Sequence, residues 1–226
     1  MIVWQDMVSG GSHYDPVVIQ VLPFIGIHLR DNKYHRFGRE EEGSRDQFVQ
    51  DMYDTVELLY NTTSLAVWVP FNEGWGQFDS LQATQSLWEL DETRLVDHAS
   101  GWHDQGGGDF KSRHVYYRPV RMKHDTNRVL ALSEFGGYSM PVAGHTSSDK
   151  EFGYRIYRTE KEFMDAYGKL FEKEVVPHML KQGLSAAVYT QVSDVEDEVN
   201  GLLTYDRRVV KVDAQRIRKI NELLRF

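Results

Sequence analysis

Two glutamates stand just after buried apolar segments, a position in which a carboxylate can take part in chemistry. Residues 65–69 lead to Glu73, and residues 129–133 lead directly to Glu134. A carboxylate at the end of a buried strand is desolvated on one side and open on the other. Glycoside hydrolysis uses two such groups, one as proton donor to the leaving oxygen and one as nucleophile or base. Strand-end acids also form plain salt bridges and helix caps, so their spacing alone leaves these alternatives open.

Short apolar runs alternate with amphipathic stretches along the chain, which is typical of parallel βα units. About six buried strands are predicted, at residues 2–4, 65–69, 94–97, 110–116, 129–134 and 184–189. The pattern fits a (β/α)₈ barrel or a doubly wound sheet, and in both the C-terminal strand ends carry the site. No Gly-rich phosphate-binding sequence follows the first strand, which disfavours a nucleotide-binding protein.

Several helices are predicted between these strands. Residues 44–47 and 159–162 have the pattern of capping boxes that open helices. Gly183 is typical of a helix end. Further helices are expected within residues 17–29, over residues 79–90 and at the end of the chain, around residues 217–224.

Composition excludes several classes of protein. The chain has 226 residues, a net charge of −8 and no cysteine. This length suits one large α/β domain or two small ones. The acidic balance argues against a nucleic-acid partner, and no apolar run approaches the ~20 residues of a membrane helix. The N-terminus does not resemble a signal peptide, and the compartment is left open.

Six segments carry a resemblance to a known family. Residues 68–77, with Asn72-Glu73 at their centre, resemble the acid/base motif of family 2 glycoside hydrolases, which include β-galactosidases and β-glucuronidases. Ser133-Glu134-Phe135-Gly136-Gly137 resembles the nucleophile segment of the same family. The other matches follow the family's order and lie at residues 3–7, 97–102, 189–196 and 200–207.

The resemblance implies retaining hydrolysis of a β-glycoside through a covalent glycosyl-enzyme intermediate, without a cofactor. It implies that Glu73 is the acid/base, that Glu134 is the nucleophile and that Asn72 binds the neighbouring sugar hydroxyl. A β-galactosidase-like exo-enzyme is expected from the frequency of that activity in the family. Further sugar contacts are expected from six side chains: Gln5, Asp6, Trp102, His114, Tyr116 and Gln191. For Trp102 a loop wedge, and for His114 a structural histidine, are equally open.

The resemblance also implies an incomplete barrel. Residues 1–226 are expected to form part of a (β/α)₈ TIM-barrel catalytic domain that contains about strands 3–8 and lacks the first two βα units. Exposed strand edges invite pairing with other chains, so a homo-oligomer formed through the open edges is one expectation. A carbohydrate-binding remnant without activity is an alternative function, and a subunit whose missing strands come from a partner chain is another.

Two other features of the sequence give weaker evidence of a functional site. The nine histidines show no paired metal-ligand spacing, so no metal site is predicted and structural or surface roles are expected. Residues 194–198 are rich in acids but lack the pattern of a calcium loop. A solvated loop is expected there, with a role beside Gln191 as the alternative.

Overall fold

The computed structural model describes residues 1–148 and 150–224, which form an α/β protein. The strands are β1 (Val3–Asp6), β2 (Leu65–Val69), β3 (Leu95–Val96), β4 (Phe110–Val115), β5 (Val129–Gly136), β6 (Tyr138–Ser139), β7 (Arg155–Ile156) and β8 (Leu184–Thr190). The α-helices are α1 (Pro16–Gln20), α2 (Leu22–Ile25), α3 (Glu42–Leu59), α4 (Ser80–Leu90), α5 (Glu160–Leu170), α6 (Val176–Gln182) and α7 (Ala214–Asn221). A π-helical segment, Phe171–Val175, joins α5 to α6, and 3₁₀ turns lie at Tyr34–Phe37 and Glu222–Leu224.

The chain divides into two compact units. Unit 1 consists of residues 1–113 and 125–129, and unit 2 of residues 114–124 and 130–226. Each unit has an apolar core of its own. The assignment of the whole chain to one barrel domain stays a prediction.

Unit 1 is built on a parallel sheet in the order β1-β2-β3. In β2 four of the five residues are buried, as expected of a parallel strand that is covered on both faces. Helix α3 places Phe48, Met52 and Val56 on one side at helical spacing, and all three are buried with Trp68 in one cluster. These apolar contacts hold the sheet from which the residues after β2 emerge.

Helix α3 begins two residues before the predicted capping box, which is therefore wrong. Its N-cap is Glu41, and Ser44 lies inside the first turn. The Ser44 hydroxyl instead accepts a hydrogen bond from Arg39 Nη1 at 2.9 Å, and the Ser44 carbonyl accepts another from the same atom at 3.0 Å. The Ser44 side chain therefore accepts from an arginine and does not cap α3, whose N-cap makes no side-chain hydrogen bond.

Unit 2 contains the parallel pair β5–β8, in which Leu132 lies opposite Ala187 and Phe135 opposite Tyr189. Helix α5 packs Phe163 and Tyr167 into the core. Its predicted capping box is confirmed: the Thr159 side chain and the Glu162 side chain each accept a hydrogen bond from the other's backbone. Gly183 ends α6 with a φ of 77°, as predicted.

The α/β class and the parallel pairing are confirmed, whereas the barrel arrangement stays a prediction. The expected helix within residues 17–29 is split into α1 and α2, because a proline occupies the start of each and Gly26, with a φ of 79°, ends the second. The pair β6–β7 was not predicted. Among the described residues, no helix has the length and apolar character needed to cross a membrane.

Candidate active site

Glu134 stands near the C-terminal end of β5 in unit 2. Residues 130–133 before it and residues 135 and 136 after it are buried, and Glu134 alone within this run is half-buried. Its side chain is 30% exposed. The strand therefore carries one ionisable side chain from the core to the solvent, at the edge where parallel strands of α/β proteins present their functional groups.

Two aromatic neighbours contact the Glu134 carboxylate within unit 2. The Tyr116 hydroxyl donates a short hydrogen bond to Oε2, and His114 Nδ1 lies 3.8 Å from the same oxygen. The His114 side chain is fully buried, and Tyr116 is 6% exposed. A hydrogen bond from a hydroxyl to a carboxylate fixes the orientation of the carboxylate. Three of the predicted site residues are thus brought together.

Two glycines after Glu134 allow aromatic rings to approach the backbone. Gly136 and Gly137 have φ values of 87° and 60°, which favour glycine. A Cβ on Gly136 would lie 2.3 Å from the Tyr189 ring, and one on Gly137 would lie 2.4 Å from the Tyr154 ring. The Gly-Gly pair is therefore required by packing as well as by backbone conformation.

Gln191 follows β8 in unit 2 and is held in a polar cluster. Its Nε2 donates to Glu198 Oε2 at 2.8 Å and to Asn200 Oδ1 at 2.6 Å. The peptide bond that precedes Gln191 is cis. These two hydrogen bonds fix the orientation of the Gln191 side-chain amide.

A buried ion pair anchors the loop that follows Gln191. Lys211 Nζ lies 2.6 Å from Asp194 Oδ1, and both side chains are at most 1% exposed. Burial raises the pKa of Asp194 and lowers the pKa of Lys211, and their mutual contact opposes both effects. The prediction of a solvated acidic loop is wrong for Asp194, because Lys211, 17 residues later, could not be paired with it by spacing.

In unit 1, Asn72 and Glu73 lie in the turn after β2. Asn72 forms a parallel bridge with Ser100, and the Glu73 N–H donates to the Ser100 carbonyl at 3.0 Å. Glu73 has a φ of 51°, an uncommon conformation for a residue with a side chain. The Trp75 N–H closes the turn on the Asn72 carbonyl at 3.0 Å. The half-buried Glu73 is thus held by its backbone in the turn after β2.

The loop after Glu73 is packed without spare room. A Cβ on Gly76 would lie 2.0 Å from the carbonyl oxygen of Gly10, and the Gly76 carbonyl accepts a hydrogen bond from Arg39 Nε at 3.0 Å. The Arg39 guanidinium lies over the rings of Phe48 and Phe78 at 5.0 and 5.6 Å. The buried Arg39 side chain holds this loop against the core. No local sequence motif predicted this role.

His103 supports the same loop as a neutral histidine. The Leu29 N–H donates to Nδ1 at 3.1 Å, so Nε2 carries the proton and donates to the Val18 carbonyl at 2.9 Å. Burial lowers the pKa of His103, and the bond to Val18 opposes this effect. Gly74 contacts the ring, since a Cβ there would lie 2.7 Å from His103 Cδ2. The expected structural role is confirmed for this histidine.

The remaining predicted contacts also lie in unit 1. Gln5, at the end of β1, donates to the Asp6 carbonyl at 2.7 Å, and Asp6 is exposed. Trp102 is 9% exposed and packs in a small cluster with Val18 and Phe24. Its burial favours the loop wedge over a sugar platform, and its role as a sugar contact stays a prediction.

The fold is similar to that of several glycoside hydrolases. β-D-Glucuronidase of Dictyoglomus thermophilum has 12% sequence identity and a TM-score of 0.59, over 99% of this chain and 44% of that one. A GH2 β-galacturonidase from Eisenbergiella tayi bound to galacturonate has 13% identity and a TM-score of 0.60, over 88% and 40% of the two chains. Bacteroides uniformis β-glucuronidase 2, covalently bound to cyclophellitol-6-carboxylate aziridine, has 12% identity and a TM-score of 0.53, over 90% and 29%.

This chain therefore spans less than half the length of these solved structures. No family model matches the sequence, and a search of curated proteins gives no match. At such low identity the similarity establishes a fold of the GH2 type for the aligned part.

Proposed function

We propose that this chain carries the two catalytic carboxylates of a retaining β-glycoside hydrolase. The observation that carries the proposal is the Glu134 carboxylate, half-buried near the end of a parallel strand and hydrogen-bonded by Tyr116, in a fold similar to β-glucuronidases and a β-galacturonidase. A nucleophile must be oriented towards the carbon it attacks, and a hydroxyl that donates to one carboxylate oxygen orients the group.

In the proposed reaction, a Glu134 oxygen attacks the anomeric carbon and the glycosidic carbon–oxygen bond breaks. The leaving oxygen keeps the bonding electron pair and takes a proton from the Glu73 carboxyl group. Water then attacks the anomeric carbon, gives a proton back to Glu73 and releases Glu134 from its ester with the sugar. Asn72 would hydrogen-bond the adjacent sugar hydroxyl, while Gln5, Asp6 and Gln191 offer further polar contacts.

The similar solved structures are β-glucuronidases and a β-galacturonidase, which favours a uronide as the substrate. The frequency of β-galactosidases in family 2 favours a galactoside instead. The first test is intact mass spectrometry of the chain after incubation with cyclophellitol-6-carboxylate aziridine, beside a panel of 2-fluoro-glycosides of galactose and glucuronic acid. We expect one covalent adduct on the peptide that contains Glu134. The sugar that reacts would identify the substrate class.

Three variants make this test specific. Glu134→Gln should abolish the adduct, Glu73→Gln should slow its formation and leave its position unchanged, and Glu160→Gln, at the exposed start of α5, should react like the wild type. An adduct on another residue would contradict the assignment of the nucleophile. A folded chain that forms no adduct would favour the alternative, a carbohydrate-binding protein without activity.

A further inference from the structure

A ridge of exposed apolar side chains runs along α1 and α2 in unit 1. Val17, Val21 and Ile25 are 52%, 47% and 55% exposed, and their spacing of four residues favours one side of the helical segment. Val18 and Ile19 are 1% exposed and belong to an apolar cluster. A helix that is apolar on all sides is normally buried on all sides, so this apolar ridge is expected to be covered by a partner.

Cations stand at both ends of the apolar ridge. The Arg36 carbonyl accepts a hydrogen bond from the Asp15 N–H at 3.3 Å, directly before α1, and Arg30 follows shortly after α2. Both arginine side chains are exposed, and neither forms an ion pair with any described residue. Asp31, the only acid within residues 16–39, is buried and accepts a hydrogen bond from Ser80. The ridge therefore has a local positive charge on a chain whose net charge is −8.

A groove with an apolar floor lies between α3 and α4 of the same unit. Its volume is about 1030 Å³. Its least exposed lining residues are apolar: Val56 is buried, and Val49 and Leu90 are partly buried against the same cluster. Cavities of about 300–1,000 Å³ hold a drug-sized molecule, so the groove has room for a row of aliphatic side chains.

The rim of this groove is acidic. Asp46, Asp54 and Glu57 are exposed, and none of the three forms an ion pair within the part of the chain that the structure describes. Arg45, the one basic residue of α3, bonds the carbonyls of residues 39 and 40 instead. The acidic groove is therefore complementary in charge to the two arginines beside the apolar ridge.

The two surfaces also match in length. Asp46 and Glu57 are eleven residues apart, which is about 16 Å along a helix. Val17 and Ile25 are eight residues apart, or about 12 Å in helical geometry. The apolar row thus fits between the ends of the acidic row, with a cation left over at each end of the ridge.

We propose that the apolar ridge of one copy of this chain binds in the acidic groove of a second copy. Burial of the aliphatic side chains supplies the attraction, and pairing of Arg30 and Arg36 with the carboxylates on the rim fixes the orientation. The ridge and the groove are different surfaces, so the contact is heterologous and either closes into a ring or continues as a chain of copies. The proposal is independent of the proposed function, because neither surface contains a candidate catalytic residue.

Analytical ultracentrifugation of the whole chain tests this association. The concentrations run from about 1 to about 300 µM, the range of weak complexes. The ridge variant is Val21→Glu/Ile25→Glu and the groove variant is Asp54→Lys/Glu57→Lys. The control is Leu180→Glu, which places a carboxylate at a 70% exposed leucine of α6.

We expect the wild type and the control to form species whose mass rises with concentration. Each variant lacks one of the two surfaces and should associate at least about tenfold more weakly, while circular dichroism shows that it is folded. An equal mixture of the two variants should form a 1:1 heterodimer and nothing larger. The reason is that the intact ridge of the groove variant still fits the intact groove of the ridge variant.

A second ridge variant, Arg30→Glu/Arg36→Glu, tests the charges apart from the apolar contact. It should also associate at least about tenfold more weakly. A chain that combines it with Asp54→Lys/Glu57→Lys should regain association, because the charges are then exchanged between the two surfaces.

Four results would overturn the proposal. They are a wild type that stays monomeric, a ridge or groove variant that associates like the wild type, a mixture without heterodimer, and exchanged charges without recovery. Vesicles that contain phosphatidylserine test the other occupant of an apolar and cationic surface. Binding of a monomeric wild type to these vesicles, lost in the ridge variant, would assign the ridge to a lipid surface instead.

Discussion

Replacement of Asp91 by asparagine should remove a large part of the stability of unit 1. Asp91 ends α4 and is 1% exposed. Its Oδ2 accepts hydrogen bonds from the Trp68 indole at 3.0 Å and from Arg94 Nη1 at 2.5 Å, and its Oδ1 accepts from the Thr93 N–H and hydroxyl at 3.0 and 2.6 Å. Asparagine keeps the shape but turns an NH₂ group towards one of these sets of donors.

The pKa of Asp91 sets the size of the effect. Burial raises this pKa, but hydrogen bonds from Thr93, Arg94 and Trp68 outweigh burial and lower it from the ordinary 3.8 to about 2. This difference corresponds to about 2.4 kcal/mol of stability at neutral pH. Since the folded pKa is the lower one, the contribution is complete well above pH 4 and is lost as the pH falls through about 2. About 1.3 kcal/mol of it remains at pH 3.

The Asp91→Asn variant should therefore lose about 2–4 kcal/mol at pH 7, because Arg94, whose side chain is 10% exposed, also loses its counter-charge. The loss should shrink by about 1 kcal/mol at pH 3. Urea unfolding followed by tryptophan fluorescence measures the stability of unit 1 alone. This unit contains all the tryptophans of the chain, which are Trp4, Trp68, Trp75, Trp88 and Trp102.

Glu92→Gln is the matched control, because Glu92 is the exposed neighbour of Asp91. It removes the same charge and should change stability by less than about 0.5 kcal/mol. A loss below about 1 kcal/mol in Asp91→Asn at pH 7, or a loss that acid does not reduce, would refute the assignment of this carboxylate as a charged hydrogen-bond centre.

Three further predictions test other contacts. Lys211→Met should lower the stability of unit 2 by about 3–5 kcal/mol in thermal unfolding, because it leaves the Asp194 carboxylate buried without its counter-charge. Adding Asp194→Leu to the same chain should recover part of the loss. No recovery would contradict the ion pair. Gly76→Ala should destabilise unit 1, since its Cβ would lie 2.0 Å from a carbonyl oxygen, whereas Gly43→Ala, in α3 with nothing within 4 Å, should gain about 0.5–1 kcal/mol; equal effects in urea unfolding would speak against the tight loop. His103→Gln should weaken the pH dependence of stability below about pH 6.5. Because the pKa of His103 is lowered in the folded state, the wild type loses up to about 1.4 kcal/mol of stability per pH unit as protons bind the unfolded chain. Parallel curves of stability against pH for the wild type and the variant would disprove the buried neutral histidine.

Local patterns in the sequence were enough to place the strands that carry the candidate carboxylates. The apolar runs before Glu73 and Glu134 predict β2 and β5, because a strand buried on both faces must be continuously apolar. The capping box of Thr159 and Glu162 and the helix end at Gly183 could also be predicted, because a cap depends on residues that are close in the sequence. The start of α3 at Glu42 was missed because its N-cap, Glu41, makes no side-chain hydrogen bond of the kind that a capping pattern predicts.

Tertiary structure alone decided which side chains meet. Tyr116 and Glu134 are 18 residues apart, Asp194 and Lys211 are 17 apart, and Val18 and His103 are 85 apart. No periodicity links such pairs, because loops of any length can bring together the strand ends or turns that carry them. The sequence by itself determined the α/β class and the carboxylates at the strand ends. Only the fold decided that a tyrosine donates to Glu134 and that Lys211 pairs with Asp194, because these contacts depend on packing between distant segments.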